Sequence, residues 1–367
     1  MNHNPNSTWL PEPSVPDDTY ARRGEHTLDW LSRSTIMRAK ECRRFLNEHL
    51  SKLPANIQSK IFHDLRPKWH STFFELILAR LLQELGGSIV FESNNRVGRR
   101  PDFNVQFSDV TIIVEANAPI FNKATGEQLK NQVPLLDFIE SNIPKGWGVS
   151  VRQLPSIGLA DSQKEFKRTV KNMLRIPLPS KDGEDTELIE KLPTGTIHLQ
   201  LWPKNITSKQ LMSDTPSAVF DNSEIRIRRA VKKKRKQVRC SEEPVLLAIQ
   251  ASGVGSGFDD FDMALFGRGY ARYDEQHRLI ETGFETNGVF NERRDKAPTY
   301  AGVLAFLTVG FNACTAPVLY RHPRFSGILP EALLKLEQRM YNEESNEIQI
   351  QPSKAQGLVE RLNFVNV

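Results

Sequence analysis

The sequence lacks the features that mark membrane-spanning, secreted and zinc-dependent proteins. It has only three cysteines in 367 residues, Cys42, Cys240 and Cys314, and no C-x-x-C pair joins them. Its eight histidines form no H-E-x-x-H pattern. No run reaches the roughly 18 consecutive apolar residues of a membrane-spanning helix, and the polar, proline-rich N-terminus is unlike a signal or transit peptide. We therefore expect a cytoplasmic protein with reduced thiols and no membrane partner.

Net charge is also low, because 49 Lys and Arg residues are set against 44 Asp and Glu residues, which leaves +5. The excess is concentrated, however: nine of the fourteen residues from Arg226 to Arg239 are basic and none is acidic. Without those nine cations the chain carries a formal charge of −4. Such a run is commonly a solvated helix face, and otherwise it is the electrostatic footprint of a nucleic-acid-binding surface.

The apolar pattern changes period along the chain, which predicts helices first and then strands alternating with helices. One helical pattern runs from Thr27 to about Leu53, and another runs from Ser71 to Leu85 and ends at Gly86-Gly87. This order predicts an α/β domain around a central mixed sheet flanked by helices. The expected organisation is a flexible tail (1–25), an N-terminal helical extension (26–68), the α/β domain (69–325) with an acidic surface insertion near 180–192, and a C-terminal helix with a polar tail (326–367).

Two carboxylates stand at the outer ends of a predicted hairpin. Asp102 opens the alternating strand DFNVQF, Glu115 closes the β-branched strand VTIIVEA, and only Ser108-Asp109 separate the two strands. The outer ends of such a hairpin meet, so the two carboxylates should lie side by side. Their repulsion requires a cation between them, and oxygen ligands on a sheet edge suit Mg²⁺ or Mn²⁺. A proline-aspartate turn without function is the simpler alternative for Asp102 taken alone.

Two more polar residues fall on apolar helix faces. Glu75 is in line with the leucines of its helix, so its carboxylate should face inward and need a partner. On the basic helix, Ile227 and Val231 mark the face toward the sheet, and Lys234 lies on that face with Gln237 adjacent. An inward lysine near carboxylates is a candidate to stabilise transition-state charge.

The segment from Phe74 to Asn117 resembles the PD-(D/E)XK superfamily of restriction-endonuclease-like nucleases. The resemblance rests on Glu75 in a helix, the sequence Arg99–Asp102 before a hairpin, and Glu-Ala-Asn closing an apolar strand, and in element order it reaches about Gln250. The chain is also similar to a set of uncharacterised bacterial proteins with a VEA signature, a later K-x-x-Q helix and a P-x-x-x-A strand before an A-L-F-G segment. The matching positions here are Lys234 and Gln237, Pro244–Ala248, and Ala264–Gly267.

The resemblance implies a restriction-endonuclease-like core and a metal-dependent nuclease. By that resemblance, Asp102, Glu115 and the carbonyl of Ala116 would bind Mg²⁺ or Mn²⁺, and Glu75 would be the helix carboxylate. The substrate is expected to be nucleic acid, DNA above RNA, and many enzymes that cut both strands act as homodimers. Outward cations of the basic helix would follow the phosphate backbone: Arg228, Arg229, Lys232, Lys233, Arg235 and Lys236.

One position departs from the superfamily pattern. The lysine expected two residues after the second acid is Asn117 here, and a neutral amide cannot supply positive charge. Lys234, supported by Gln237, is the candidate substitute in a catalytic set that also includes Asn117. The alternative is a catalytically inactive nucleic-acid-binding or scaffold protein with a nuclease fold, and a third option is an interaction component whose partner supplies the activity. The distance from Lys234 Nζ to the two acids discriminates between the first two.

Overall fold

The computed structural model describes most of the chain as two compact units. The first unit comprises Met1–Tyr20, His26–Ile120 and Asp221–Val367, and the second comprises Ala21–Glu25 and Phe121–Phe220. The description covers all residues except 1–8, 20, 23–24, 92–100, 120–122, 156–159, 176–185, 204–209, 214–222, 238–242, 252–256, 293–297, 299, 311–313, 343, 356, 359–361, 363 and 366–367.

Helices and strands follow in an order close to the predicted one. The described helices are α1 (Thr27–Arg33), α2 (Met37–Ser51), α3 (Ala55–Leu65), α4 (Trp69–Glu84), α5 (Lys123–Asn142), α6 (Ala160–Arg175), α7 (Ser223–Gln237) and α8 (Phe258–Leu265), with 3₁₀ turns at Val289–Asn291 and Leu333–Lys335. The described strands are β1 (Ser88–Phe91), β2 (Phe103–Gln106), β3 (Thr111–Asn117), β4 (Trp147–Gln153), β5 (Thr186–Leu192), β6 (Gly195–Pro203), β7 (Gln210–Ser213), β8 (Val245–Gln250), β9 (Gly269–Tyr273), β10 (Leu279–Phe284), β11 (Gly302–Phe306), β12 (Cys314–Thr315), β13 (Val318–Arg321), β14 (Glu337–Asn342), β15 (Glu347–Gln351) and β16 (Phe364–Val365).

The first unit is built on an eight-stranded mixed sheet in the order β1-β2-β3-β8-β11-β13-β14-β15. Strands β1, β2 and β3 form an antiparallel meander, and β3, β8 and β11 run parallel to one another at the centre. Because alternate residues of a strand face opposite sides, Val114 packs in the core toward α1–α4, whereas Ile113 packs in the core with α7 and α8. The α/β class and the mixed sheet flanked by helices are therefore confirmed.

The two helices that carry candidate site residues lie on opposite faces of this sheet. Helix α4 buries Phe74, Ile77 and Leu78 in the core on the α1–α4 side of the sheet, as its 3.6-residue period predicts. Helix α7 buries Ile227 and Val231 in the core on the other side of the sheet, which it shares with α8. The buried apolar residues fix the rotation of each helix about its long axis. The directions of Glu75 on α4 and of Lys234 on α7 are therefore fixed as well.

The second unit has its own sheet and core. Its four strands are ordered β5-β6-β4-β7, with β6 antiparallel to β4 and to β5. Ile139, Phe166 and Leu199 are fully buried there, contributed by α5, α6 and β6. Of the expected acidic surface insertion near 180–192, residues 180–185 lie outside the described part, and Thr186–Leu192 forms strand β5, most of whose residues are exposed.

The N-terminal region differs from expectation in two ways. Residues 9–19 of the expected flexible tail are described, and Leu10 is buried, with Asn47 accepting from its N–H and donating to its C=O. The single helix expected over 27–53 is divided into α1 and α2. The buried Arg43 guanidinium donates to the carbonyls of Leu31 and Ser34, which satisfies the backbone at that break.

The C-terminal region is also organised differently. A C-terminal helix was expected within 326–367, but β14 and β15 occupy much of that segment and extend the main sheet. Strand β14 pairs in parallel with β13, and β15 returns antiparallel to β14. The alternation of Ile348 and Ile350 with polar residues has the two-residue period of a strand. Within the described residues, no helix has both the length and the apolarity needed to cross a membrane.

Candidate active site

Asp102 and Glu115 lie opposite each other at the outer end of the β2–β3 hairpin. Phe103 pairs with Val114, so the next rung outward brings Asp102 beside Glu115. The Ala116 N–H donates a hydrogen bond of 2.8 Å to Asp102 Oδ2, which ties Asp102 to β3. The Glu115 side chain is 8% exposed and that of Asp102 is 29% exposed. The hairpin register thus produces the paired carboxylates that the sequence predicts.

Lys234 reaches both carboxylates from helix α7. Its Nζ lies 2.9 Å from Asp102 Oδ2 and 2.7 Å from Glu115 Oε2, and its side chain is 13% exposed. Burial alone would lower the pKa of Lys234, but the carboxylates of Asp102 and Glu115 raise it above its ordinary value. The ammonium therefore stays charged and occupies the position between the two acids.

Glu115 is the more buried acid of the pair. Burial raises the pKa of Glu115 above its ordinary value, the Lys234 ammonium opposes that rise, and the Asp102 carboxyl adds to it. Two acids and one cation in contact form a cluster with one excess negative charge. Such a cluster has a remaining affinity for positive charge.

Glu75 is the third acid near this cluster. It is half-buried on α4, and burial followed by the charge of Asp102 raises its pKa from 4.5 to about 7. Among the described side chains it makes no hydrogen bond or ion pair, although the charges of Asp102 and Lys234 both act on it. Glu75 is therefore a carboxyl group that can hold or release a proton near neutral pH.

The remaining predicted catalytic residues are less well defined. Asn117 ends β3 on the same strand face as Glu115 and is partly exposed. Gln237 is the last residue of α7, and its side chain is outside the part of the chain that the structure describes. Ala116 lies between Glu115 and Asn117 with its side chain buried in the opposite core. The segment Arg99-Arg100 that precedes Pro101 is likewise outside the described part of the chain.

The six other cations of α7 that are predicted to contact phosphate divide into two groups, those paired with acids of the protein and those that are exposed. Arg228 is paired with Glu224 at 2.5 Å, and Glu292 accepts ion pairs from both Lys232 and Arg235. Three of the six predicted phosphate-contacting residues are exposed, namely Arg229, Lys233 and Lys236. Glu292 follows a 3₁₀ turn and is far from α7 in sequence, so the charge run alone does not reveal this pairing.

Gln250 is a buried polar residue that the sequence pattern does not single out. It ends β8 opposite Phe306 of β11 and is only 5% exposed. Its Oε1 atom has no hydrogen-bond partner among the described atoms. The Phe306 ring packs edge-on against Phe74, the residue before Glu75. The polar end of an otherwise apolar strand, VLLAIQ, is the only sequence signal for this position.

Comparison with protein-family models, curated proteins and solved structures found no match. Within the described residues, no set of three or more His, Cys, Asp or Glu side chains is arranged to hold a metal ion. Asp102 and Glu115 therefore offer a two-carboxylate donor set, and backbone oxygens, amide oxygens or water could add further ligands.

Proposed function

We propose that the chain is a metal-dependent nuclease of the PD-(D/E)XK type, which hydrolyses phosphodiester bonds of DNA. The observation that carries the proposal is the position of Lys234 Nζ, 2.9 Å from Asp102 and 2.7 Å from Glu115. A lysine beside two carboxylates is the charge arrangement that this chemistry requires. Here it comes from α7, a different element from the one that carries Asn117.

The donor set fits a hard divalent cation such as Mg²⁺ or Mn²⁺. Asp102 and Glu115 supply carboxylate oxygens, and Asp102 is open enough to solvent for bound water to complete a coordination shell. When bound, such an ion stabilises charge on a phosphate and lowers the pKa of water. The Ala116 N–H keeps Asp102 oriented, and Asp102 and Glu115 would hold the ion together with the Ala116 carbonyl.

Lys234 has a defined task in this proposal. Its ammonium balances the two carboxylates in the free protein and is close enough to shift toward an incoming phosphate, where it would stabilise the developing negative charge. Glu75, whose pKa is raised to about 7 by burial and by Asp102, would exchange a proton at the edge of the same cluster.

The test is a cleavage assay with plasmid, linear duplex, single-stranded DNA and RNA, each with Mg²⁺, Mn²⁺ or EDTA. We expect metal-dependent cleavage of DNA that is lost in Asp102→Ala and Lys234→Ala. Lys233→Ala is the matched control: it removes the same charge from an exposed neighbour on the same helix, so it should weaken DNA binding at most modestly and should not abolish cleavage. Cleavage that persists in Asp102→Ala or in EDTA would refute the mechanism.

A second candidate is a catalytically inactive nucleic-acid-binding or scaffold protein. Two observations favour it: Asn117 is neutral, and Lys234 is already neutralised by both acids, as in a purely structural ion-pair network. Under this alternative the wild-type protein binds nucleic acid with a steep salt dependence and cleaves none of the substrates. Sedimentation of the wild type with and without DNA would also test the homodimer.

A further inference from the structure

Helix α6 of the second unit carries a row of cations that the overall composition does not reveal. Its solvent face presents five exposed basic residues at positions i, i+3, i+4, i+7 and i+11: Lys164, Lys167, Arg168, Lys171 and Arg175. Residues at this spacing share one face of a helix. We call this row the α6 stripe. It spans three turns, or about 16 Å along the helix axis.

The opposite face of α6 is fully committed to the core of the second unit. Phe166 and Val170 are completely buried, and Met173 and Leu174 are nearly so. This burial fixes the rotation of α6, so the α6 stripe faces outward. It also means that α6 has no free apolar face to insert into a lipid surface, as a membrane-binding amphipathic helix needs.

Four of the five cations of the α6 stripe differ from the cations of α7 that are paired with acids. Within the described residues, Lys167, Arg168, Lys171 and Arg175 take part in no ion pair. Lys167 and Lys171 instead lie over the Phe138 ring, 5.6 Å and 5.9 Å from its centroid. Like charges three and four residues apart repel each other on a helix. The mutual repulsion of these cations works against helix stability, and four of them without an ion-pair partner in the described residues indicate an external anionic partner.

We propose that the α6 stripe is a binding surface for the phosphate backbone of duplex DNA. Several cations in a row gain affinity from a polyanion by releasing its condensed counterions, and need no sequence readout. The exposed side chains of the described part of α6 include no aromatic ring, whereas single-strand binders add stacking platforms to their cations. The major groove of B-form DNA also admits a helix, which the deep, narrow groove of A-form RNA does not.

This surface is independent of the site built on Asp102, Glu115 and Lys234. The proposal concerns DNA binding alone, so it holds whether the first unit cleaves DNA or is inactive. Binding is therefore measured in EDTA, where no metal-dependent cleavage takes place, and cleavage is measured separately.

The test is fluorescence-anisotropy titration of a labelled DNA duplex with the full-length chain at several salt concentrations. The test variant carries Lys167→Gln, Arg168→Gln, Lys171→Gln and Arg175→Gln. A matched control removes four exposed cations scattered over the first unit, with Lys40→Gln, Arg44→Gln, Lys68→Gln and Lys354→Gln. We expect the test variant to bind at least tenfold more weakly, and the slope of log affinity against log salt concentration to fall by up to about 3.6, at about 0.9 for each of the four lost phosphate contacts. The control should keep most of the wild-type affinity and slope.

Three further measurements make the outcome decisive. A charge-conserving variant with Lys167→Arg, Arg168→Lys, Lys171→Arg and Arg175→Lys should bind like the wild type, and circular dichroism should show that every variant is folded. Equal losses in the test and control variants would mean a general charge effect and would overturn the proposal. So would a stronger preference of the wild type for single strands, for duplex RNA or for vesicles of anionic lipid.

Discussion

Helices α6 and α7 are both basic, yet they use their charge differently. Helix α7 has more cations, but Glu224, Glu292, Asp102 and Glu115 together bind four of them. Helix α6 has fewer cations, and all five are exposed on one face. The helix with more cations is thus the one in which half of the cations are paired with acids of the protein.

This difference shows that the count of charges in a segment says little about the field it presents. What matters is whether acids from other elements lie against the helix, and those acids are distant in sequence. Glu292 and Glu115 are contributed by a 3₁₀ turn and by β3, respectively, and both face α7. Substitutions of single residues on either helix test this difference between paired and exposed cations.

The largest expected effect is that of Lys234→Met. Removing this ammonium leaves the buried Glu115 carboxylate beside the partly exposed Asp102 carboxylate without a cation, and breaking such a cluster costs about 3 kcal/mol. We expect the free energy of unfolding in EDTA to fall by that amount at pH 8. Mg²⁺ should raise the Tm of the variant more than that of the wild type, because the cation no longer competes with Lys234 for the two acids.

Lys233→Met provides the comparison for that experiment. Lys233 is exposed and adjacent on α7, so its replacement should change stability by less than about 0.5 kcal/mol. If both variants lost equal stability, Lys234 would hold no special position and the contrast between buried and exposed cations on α7 would fail.

The next largest effect concerns pH and the Glu75 carboxyl, on which the charges of Asp102 and Lys234 act. Burial and the charge of Asp102 raise the pKa of Glu75 from 4.5 to about 7, so the folded protein holds a proton that the unfolded chain has released. This contribution to stability is present below pH 4.5 and is lost as pH rises to about 7, on the order of 3 kcal/mol. Glu75→Gln should remove this part of the slope in urea denaturation measured from pH 4 to 8.

Glu48→Gln is the control for the direction of that slope. A hydrogen bond from Lys52 lowers the pKa of Glu48, so its small contribution is lost as pH falls. A variant at Glu75 with the wild-type slope between pH 5 and 7 would show that its carboxyl is not held protonated by the fold.

The central part of the fold and the acid pair follow from local sequence patterns. The alternation of Phe103 and Val105 with polar residues, the short turn after them and the apolar run before Glu115 together specify one hairpin register. The spacing of Ile227 and Val231 similarly directs Lys234 inward. These positions depend on periodicities within one hairpin or one helix, which a sequence displays directly.

The features that the sequence analysis missed depend on long-range packing. The ion pairs of Glu292 with Lys232 and Arg235 join residues about 60 positions apart, and no local pattern encodes them. The docking of Leu10 through Asn47 is similarly remote. The cations of the α6 stripe recur with a helical period, but their exposure depends on which face of α6 the second unit buries.

A smaller effect is expected when Glu292 is changed to Gln. Lys232 and Arg235 would lose their common acid, which lowers stability by about 1 kcal/mol because the pairs are partly exposed. Lys232 would become available to phosphate. The slope of log affinity against log salt concentration for duplex DNA should therefore become steeper by about 1. An unchanged slope would mean that this face of α7 does not meet DNA, and would leave the α6 stripe as the stronger candidate.

The smallest effect tests the repulsion within the α6 stripe. Arg168 has like-charged neighbours at Lys164 and Lys171, so Arg168→Gln should stabilise the second unit by a few tenths of a kcal/mol at low salt. Lys171→Gln relieves similar repulsion but also loses its contact with the Phe138 ring, so its net effect should be near zero. Amide hydrogen exchange of β4 and β6 would report both changes within the second unit.

The gain in stability from Arg168→Gln should vanish in about 1 M salt, where the Debye length is about 3 Å. A gain that persisted there would reflect helix propensity rather than relief of charge repulsion.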